Sequence, residues 1–125
     1  MHCGDTLLIP APGVAGVKPH LWIIVTEPDE NSLCIIVNLT SLRGSQDQTV
    51  TIMPGEHPFV IHPTSVRYSD ALIADIQRLS AEIAGGLALP KQPCGAALLS
   101  LIQDGLCASP YTPQKVVDFF LARPR

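Results

Sequence analysis

Near Asp70 the spacing of apolar residues along the chain changes from two to about three and a half. A period of two belongs to strands with one buried face, and a period near 3.6 belongs to helices. The change therefore divides a strand-rich first part from a helical second part. Before it, apolar or alternating runs at residues 5–9, 21–25, 33–39, 49–53 and 59–61 read as strands, and 65–68 adds a sixth. The run 21–25 is apolar on both faces, as a central strand is. Turn chemistry separates the runs: Pro10-Ala11-Pro12-Gly13, Glu27-Pro28-Asp29-Glu30-Asn31 and Pro54-Gly55-Glu56. After the change, Leu72, Ile73, Ile76, Leu79 and Ile83 share one helical face, with Asp70 as the cap and Gly85-Gly86 as the stop. A linker at 87–93 leads to a second helix at 95–105. Thr112 followed by Pro113 opens a third, carrying Val116, Val117, Phe119 and Phe120. The expectation is one α+β domain, mainly β in its core. A small SH3-like antiparallel barrel of five or six strands, residues 4–68, is followed by about three helices, residues 70–123.

Composition narrows the function classes. At 125 residues the chain has the size of one domain and buries roughly two-thirds of its unfolded surface. Only 15% of residues are charged, and the net charge is -3 with 8 Lys plus Arg. No basic cluster suits a duplex-binding face, although a narrow groove for a few nucleotides needs only a few cations. Low charge also predicts apolar surface closed by a second copy, hence a homodimer. No apolar run approaches the roughly 18–20 residues that cross a bilayer, so no membrane association is expected. Cys3, Cys34, Cys94 and Cys107 contain no C-x-x-C pair, and no leader is visible. Reduced cysteines in a cytoplasmic protein, with no cofactor and no metal, are the expectation. The P-loop, the Rossmann glycines, H-E-x-x-H and G-x-S-x-G are all missing, which removes those enzyme classes.

The order of short motifs resembles the PemK/Kid/MazF toxin family over about residues 4–79. Gly4-Asp5 heads an apolar strand; a Gly-containing loop follows; Lys18-Pro19 then leads into the next strand, where the family has Arg-Pro. Leu39-Thr40-Ser41 is similar to the family's Leu/Val-Thr-Ser. Ser65-Val66-Arg67, with Asp75 eight residues on, looks like its Val-Arg segment running into Thr-Ile-Asp. The resemblance implies a dimeric SH3-like barrel, an antitoxin partner and cleavage of single-stranded RNA without a metal. It implies Arg67 as the catalytic arginine, with Thr40, Ser41 and Lys18 holding RNA. Three departures stand out. The family's general-base Asp falls on Ser69, with Asp70 one step later; Lys18 replaces an arginine; and the helical tail is longer than usual.

Other polar residues extend the candidate site. Asp70 is either a displaced base or a helix cap, since a one-residue slip in a strand reverses the face. His20, His57 and His62 lie at strand ends beside prolines, where each is either an acid–base group or a solvated end residue. Tyr68, next to Arg67, is a candidate for stacking on a base, whereas Trp22 reads as core. Two functions stay open: a PemK/MazF-like endoribonuclease, and a catalytically silent binding module on the same barrel.

Overall fold

Six strands and three helices make up the described residues, 1–9 and 19–123, of the computed structural model. Lys18, and with it the turn and loop read from residues 10–18, lies outside them. Strands β1 (Thr6–Ile9), β2 (His20–Ile24), β3 (Leu33–Ser41), β4 (Thr51–Ile52) and β5 (Thr64–Asp75) precede α1 (Ile76–Ala84). Then come β6 (Leu89–Lys91), α2 (Ala96–Ala108) and α3 (Gln114–Leu121). The strands form one antiparallel sheet, ordered β4-β5-β3-β2-β1-β6, that curls into a half-barrel. The α+β class with a β core is thus as expected. No helix among the described residues is long and apolar enough to cross a membrane.

The expected boundary at Asp70 is wrong, and β5 shows why. The strand continues for five residues past Asp70, pairing Leu72–Asp75 with Leu33–Ile36 of β3. Between the two halves of this ladder the register slips. While β3 advances from Ile36 to Asn38, β5 spans Leu72 back to Arg67, a bulge that bends the strand and shifts its phase. Before the bulge Val66 and Tyr68 face the inner core, and after it Ala71 and Ile73 do. Tyr68 and Ala71, three apart on one face, imitate helical spacing inside a strand. The helix starts instead at Ile76, capped by Asp75, whose Oδ1 accepts the Gln77 N–H at 2.8 Å. Asp70 is therefore no cap.

Other expectations need smaller corrections. Residues 59–61 are no strand but a turn, closed by the Val60 N–H on the His57 carbonyl at 2.9 Å. The strand at 49–53 shrinks to β4. The supposed linker at 87–93 contains β6, which pairs with β1. Pairing with a distant strand, not local pattern, creates so short an element. Gly105 lies inside α2 rather than ending it, and Thr112 does not cap α3, which has no side-chain cap. Gly4 is required by its backbone: its φ of +92° suits glycine, while its N–H and carbonyl tie β2 and Cys94 together.

The sheet buries both faces. On the inner face Leu21, Ile23, Ile35, Val37, Val66 and Tyr68 pack with Ile102 and Leu106 of α2 and Val116 of α3. On the outer face Leu7, Ile24, Cys34, Ile36 and Ala74 pack beneath Leu79 of α1, with Trp22, Ile76 and Ile83 at the margin. Edge strands β4 and β6 are not paired with each other. His57, only 4% exposed, links their two sides. Its Nε2 donates to the Gln92 carbonyl at 2.6 Å, and its Nδ1 accepts the Phe59 N–H at 3.1 Å.

Candidate functional site

The outer face changes character where β3 and β5 pass the bulge. Asn38 pairs with Arg67 and Thr40 with Ser65. Because alternate residues share a face, Asn38 and Thr40 stand beside Arg67 and Ser69. Beyond Ser41 the chain leaves the sheet and folds back as a loop, beginning with the Leu42 N–H on the Pro63 carbonyl at 3.1 Å. A buried carboxylate anchors that loop. Asp47 Oδ1 accepts the N–H and the hydroxyl of Thr49 at 3.1 and 2.7 Å, and Oδ2 accepts the Ser109 hydroxyl at 2.8 Å. The Asp47 carbonyl accepts the Ser65 hydroxyl as well. Three donors thus compensate a charge that burial would otherwise make costly.

Between loop and sheet lies a cavity of about 400 Å³. Four residues singled out from the sequence, Thr40, Ser41, Arg67 and Ser69, line it together. The loop adds Arg43 and residues 44–47, and the α2–α3 connection adds Tyr111. Arg43 and Arg67 are its two cationic walls, and Asp47, the acid among the lining residues, already has its partners. Two guanidinium groups with several hydroxyls make a suitable grip for a phosphate, because the planar fork donates along two directions. Arg67 Nε lies 3.5 Å from Asp70 Oδ2, which also accepts from Asn38 Nδ2 at 3.1 Å. The Asn38 side chain is buried, and its Oδ1 has no partner among the described residues. Asp70 does not line the cavity itself but is joined to its wall through Arg67.

Other candidates are placed elsewhere. Tyr68 is wholly buried, its hydroxyl donating to the Ile102 carbonyl at 2.8 Å. Burial, then the nearby charges of Asp47 and Asp104, push its phenol well above its ordinary range. It is a core residue and offers no surface for stacking, a correction that follows from alternation: Arg67 faces out, so its neighbour faces in. His57 is spent on bridging the sheet edges and does not line the cavity. His20, half-buried, donates from Nδ1 to the Leu39 carbonyl at 3.0 Å, next to Thr40. His62 is exposed and lines a neighbouring groove of about 450 Å³ with Ser41, Leu42, Arg43 and Pro63. That groove shares Ser41 and Arg43 with the main cavity. His62 thus borders the site through the shared groove, and His20 lines neither space.

Sequence reasoning missed Arg43 and Tyr111. For Arg43 the signal was a Gly-containing polar loop directly after Thr40-Ser41. For Tyr111 it was an aromatic residue in the Pro- and Ser-containing link 109–113, a setting that usually leaves a ring exposed. Comparison of the chain with protein-family models, curated proteins and solved structures finds no match.

Proposed function

We propose that this chain is a PemK/MazF-like SH3-barrel protein that binds single-stranded RNA in the Arg43–Arg67 cavity and cleaves it without a metal. One observation carries the reading: Thr40, Ser41, Arg67 and Ser69, picked from separate strands by resemblance, share one cavity with a second arginine. In the proposed reaction Asp70 takes the proton of a ribose 2′-OH, whose oxygen bonds to the adjacent phosphorus. The bond from phosphorus to the 5′-oxygen breaks, and His62 returns a proton to that oxygen. The products are a 2′,3′-cyclic phosphate and a 5′-hydroxyl. Arg67 and Arg43 stabilise the negative charge that builds on the phosphorane. The same reading includes a homodimer and an antitoxin partner. Ile61, 80% exposed, and Leu89, 52% exposed, provide apolar surface that a second copy would cover.

The second reading is a silent binding module of the same fold. The Arg67–Asp70 ion pair favours it, because the two groups the chemistry needs hold one another in the free chain. Purified protein on mixed-sequence single-stranded RNA separates the two. Cleavage that persists in EDTA and falls by ~10²-fold or more in Arg67→Ala supports the nuclease, that being the scale for losing one electrostatic stabiliser. No cleavage, or equal cleavage by both proteins, leaves the binding module.

A further inference from the structure

The two arginines account for a phosphate but not for the aromatic wall of the same cavity. That wall is Tyr111, 43% exposed, on the connection between α2 and α3. Its position is built rather than incidental. The Ser109 hydroxyl accepts the Tyr111 N–H at 3.1 Å and donates to Asp47 Oδ2 at 2.8 Å. Ser109 and Asp47 are each 6% exposed. One buried carboxylate therefore positions both the loop that carries Arg43 and the link that carries Tyr111. The buried pair ties two walls from distant parts of the sequence across a single cavity.

An aromatic ring that shares a cavity with a phosphate grip is the arrangement that holds a nucleotide in single-stranded nucleic acid: the cations take the backbone and the ring takes the base. We infer that Tyr111 is the stacking surface for the nucleobase next to the phosphate held by Arg43 and Arg67, with Ser109 and Asp47 as its positioning residues. The inference rests on the RNA-binding reading above. It also gives the C-terminal helices a role, because they carry one wall of the site. Tyr111 uses a π-face common to all bases, so its contribution varies little with sequence.

The test is equilibrium binding of a short mixed-sequence 2′-O-methyl RNA, which lacks the attacking hydroxyl, with inorganic pyrophosphate as the baseless probe. Tyr111→Ala should weaken oligonucleotide binding roughly ten-fold or more, the scale of losing one base–aromatic stack. Tyr111→Phe should bind as the wild type does, and pyrophosphate affinity should be unchanged in both variants. Since the ring is exposed and the Ser109 bond uses the backbone N–H, Tyr111→Ala should retain the wild-type circular dichroism. Wild-type oligonucleotide binding that depends on Arg67 but is indifferent to Tyr111→Ala overturns the stacking role and leaves RNA binding standing. Equal weakening of pyrophosphate binding also overturns it, showing a collapsed cavity rather than a lost stack. A wild type that binds pyrophosphate but no oligonucleotide removes the RNA reading and the stacking role together.

Discussion

The outer face of the β3–β5 ladder has two halves, built from the same two strands and separated by one bulge. In one half Cys34 and Ile36 pack with Ala74 under Leu79 of α1. In the other, Asn38, Thr40, Arg67, Ser69 and Asp70 are polar, and all of them but Asn38 are at least partly exposed. The first half stabilises the fold by removing apolar surface from water. The second leaves that contribution to the inner face, where Val66 and Tyr68 pack, and frees its outer side chains for a ligand. Substitutions in the covered half should therefore act on stability, and those in the open half on function.

The largest effect tests the covered half. Leu79→Ala removes the buried centre of the α1 contact, with the parent side chain 5% exposed. It should cost about 3 kcal/mol in urea denaturation, within the usual range for a buried leucine. RNA binding per folded molecule, if the chain binds RNA as proposed, should not change. A cost below about 1 kcal/mol would mean that α1 is not what holds this half closed.

Gly105→Ala tests the inner face beneath the open half. A Cβ there would lie 2.6 Å from Tyr68 Cζ and 2.8 Å from Val50 Cγ2. Overpacking against a buried ring should destabilise by about 2–3 kcal/mol. Adding Tyr68→Leu should recover part of the loss, as a double-mutant cycle would read. Additive costs would show that the close approach is not the cause.

Alkaline titration compares the halves by chemistry. Burial, followed by the charges of Asp29, Asp75 and Glu27, pushes the Cys34 thiol up to about 11 from its ordinary 9.0. Burial alone raises Cys94 to about 11. Between pH 9 and 11 the folded chain therefore holds protons that the unfolded chain has lost, so stability falls as pH rises through that window. Cys34→Ala should flatten this fall, whereas Asp70→Asn should leave it alone. A curve unaffected by Cys34→Ala would show that the covered half admits water to the thiol.

The smallest effect is expected in the open half. Asp70→Asn removes an ion pair whose side chains are 51% and 39% exposed, yet keeps an acceptor for Asn38. Stability should change by less than about 0.5 kcal/mol, because exposed pairs are screened and entropically costly. RNA cleavage, if the chain is a nuclease, should fall sharply. A large loss of stability would make Asp70 structural and erase the contrast between the halves.

Local pattern determined the α+β class, strands β1, β2 and β3, and helices α2 and α3 to within a few residues, because alternation and helical spacing are written in neighbouring residues; for α1 it found the end but not the start. The family resemblance, not the periodicity, picked out Thr40, Ser41, Arg67 and Ser69, which share the cavity. Only the tertiary structure decided where β5 ends, because a bulge reset the phase of its alternation and the register with β3 carried it on to Asp75. Only pairing with β1 made a strand of Leu89–Lys91, whose three residues are all exposed. The exchange of one tyrosine for another has the same origin. Tyr68 and Tyr111 are equally aromatic in sequence, but α2 covers the first through Gly105 and Ile102, while Ser109 and Asp47 hold the second at the cavity wall. Which side chain is covered depends on contacts between residues far apart in the chain, and no local period records them.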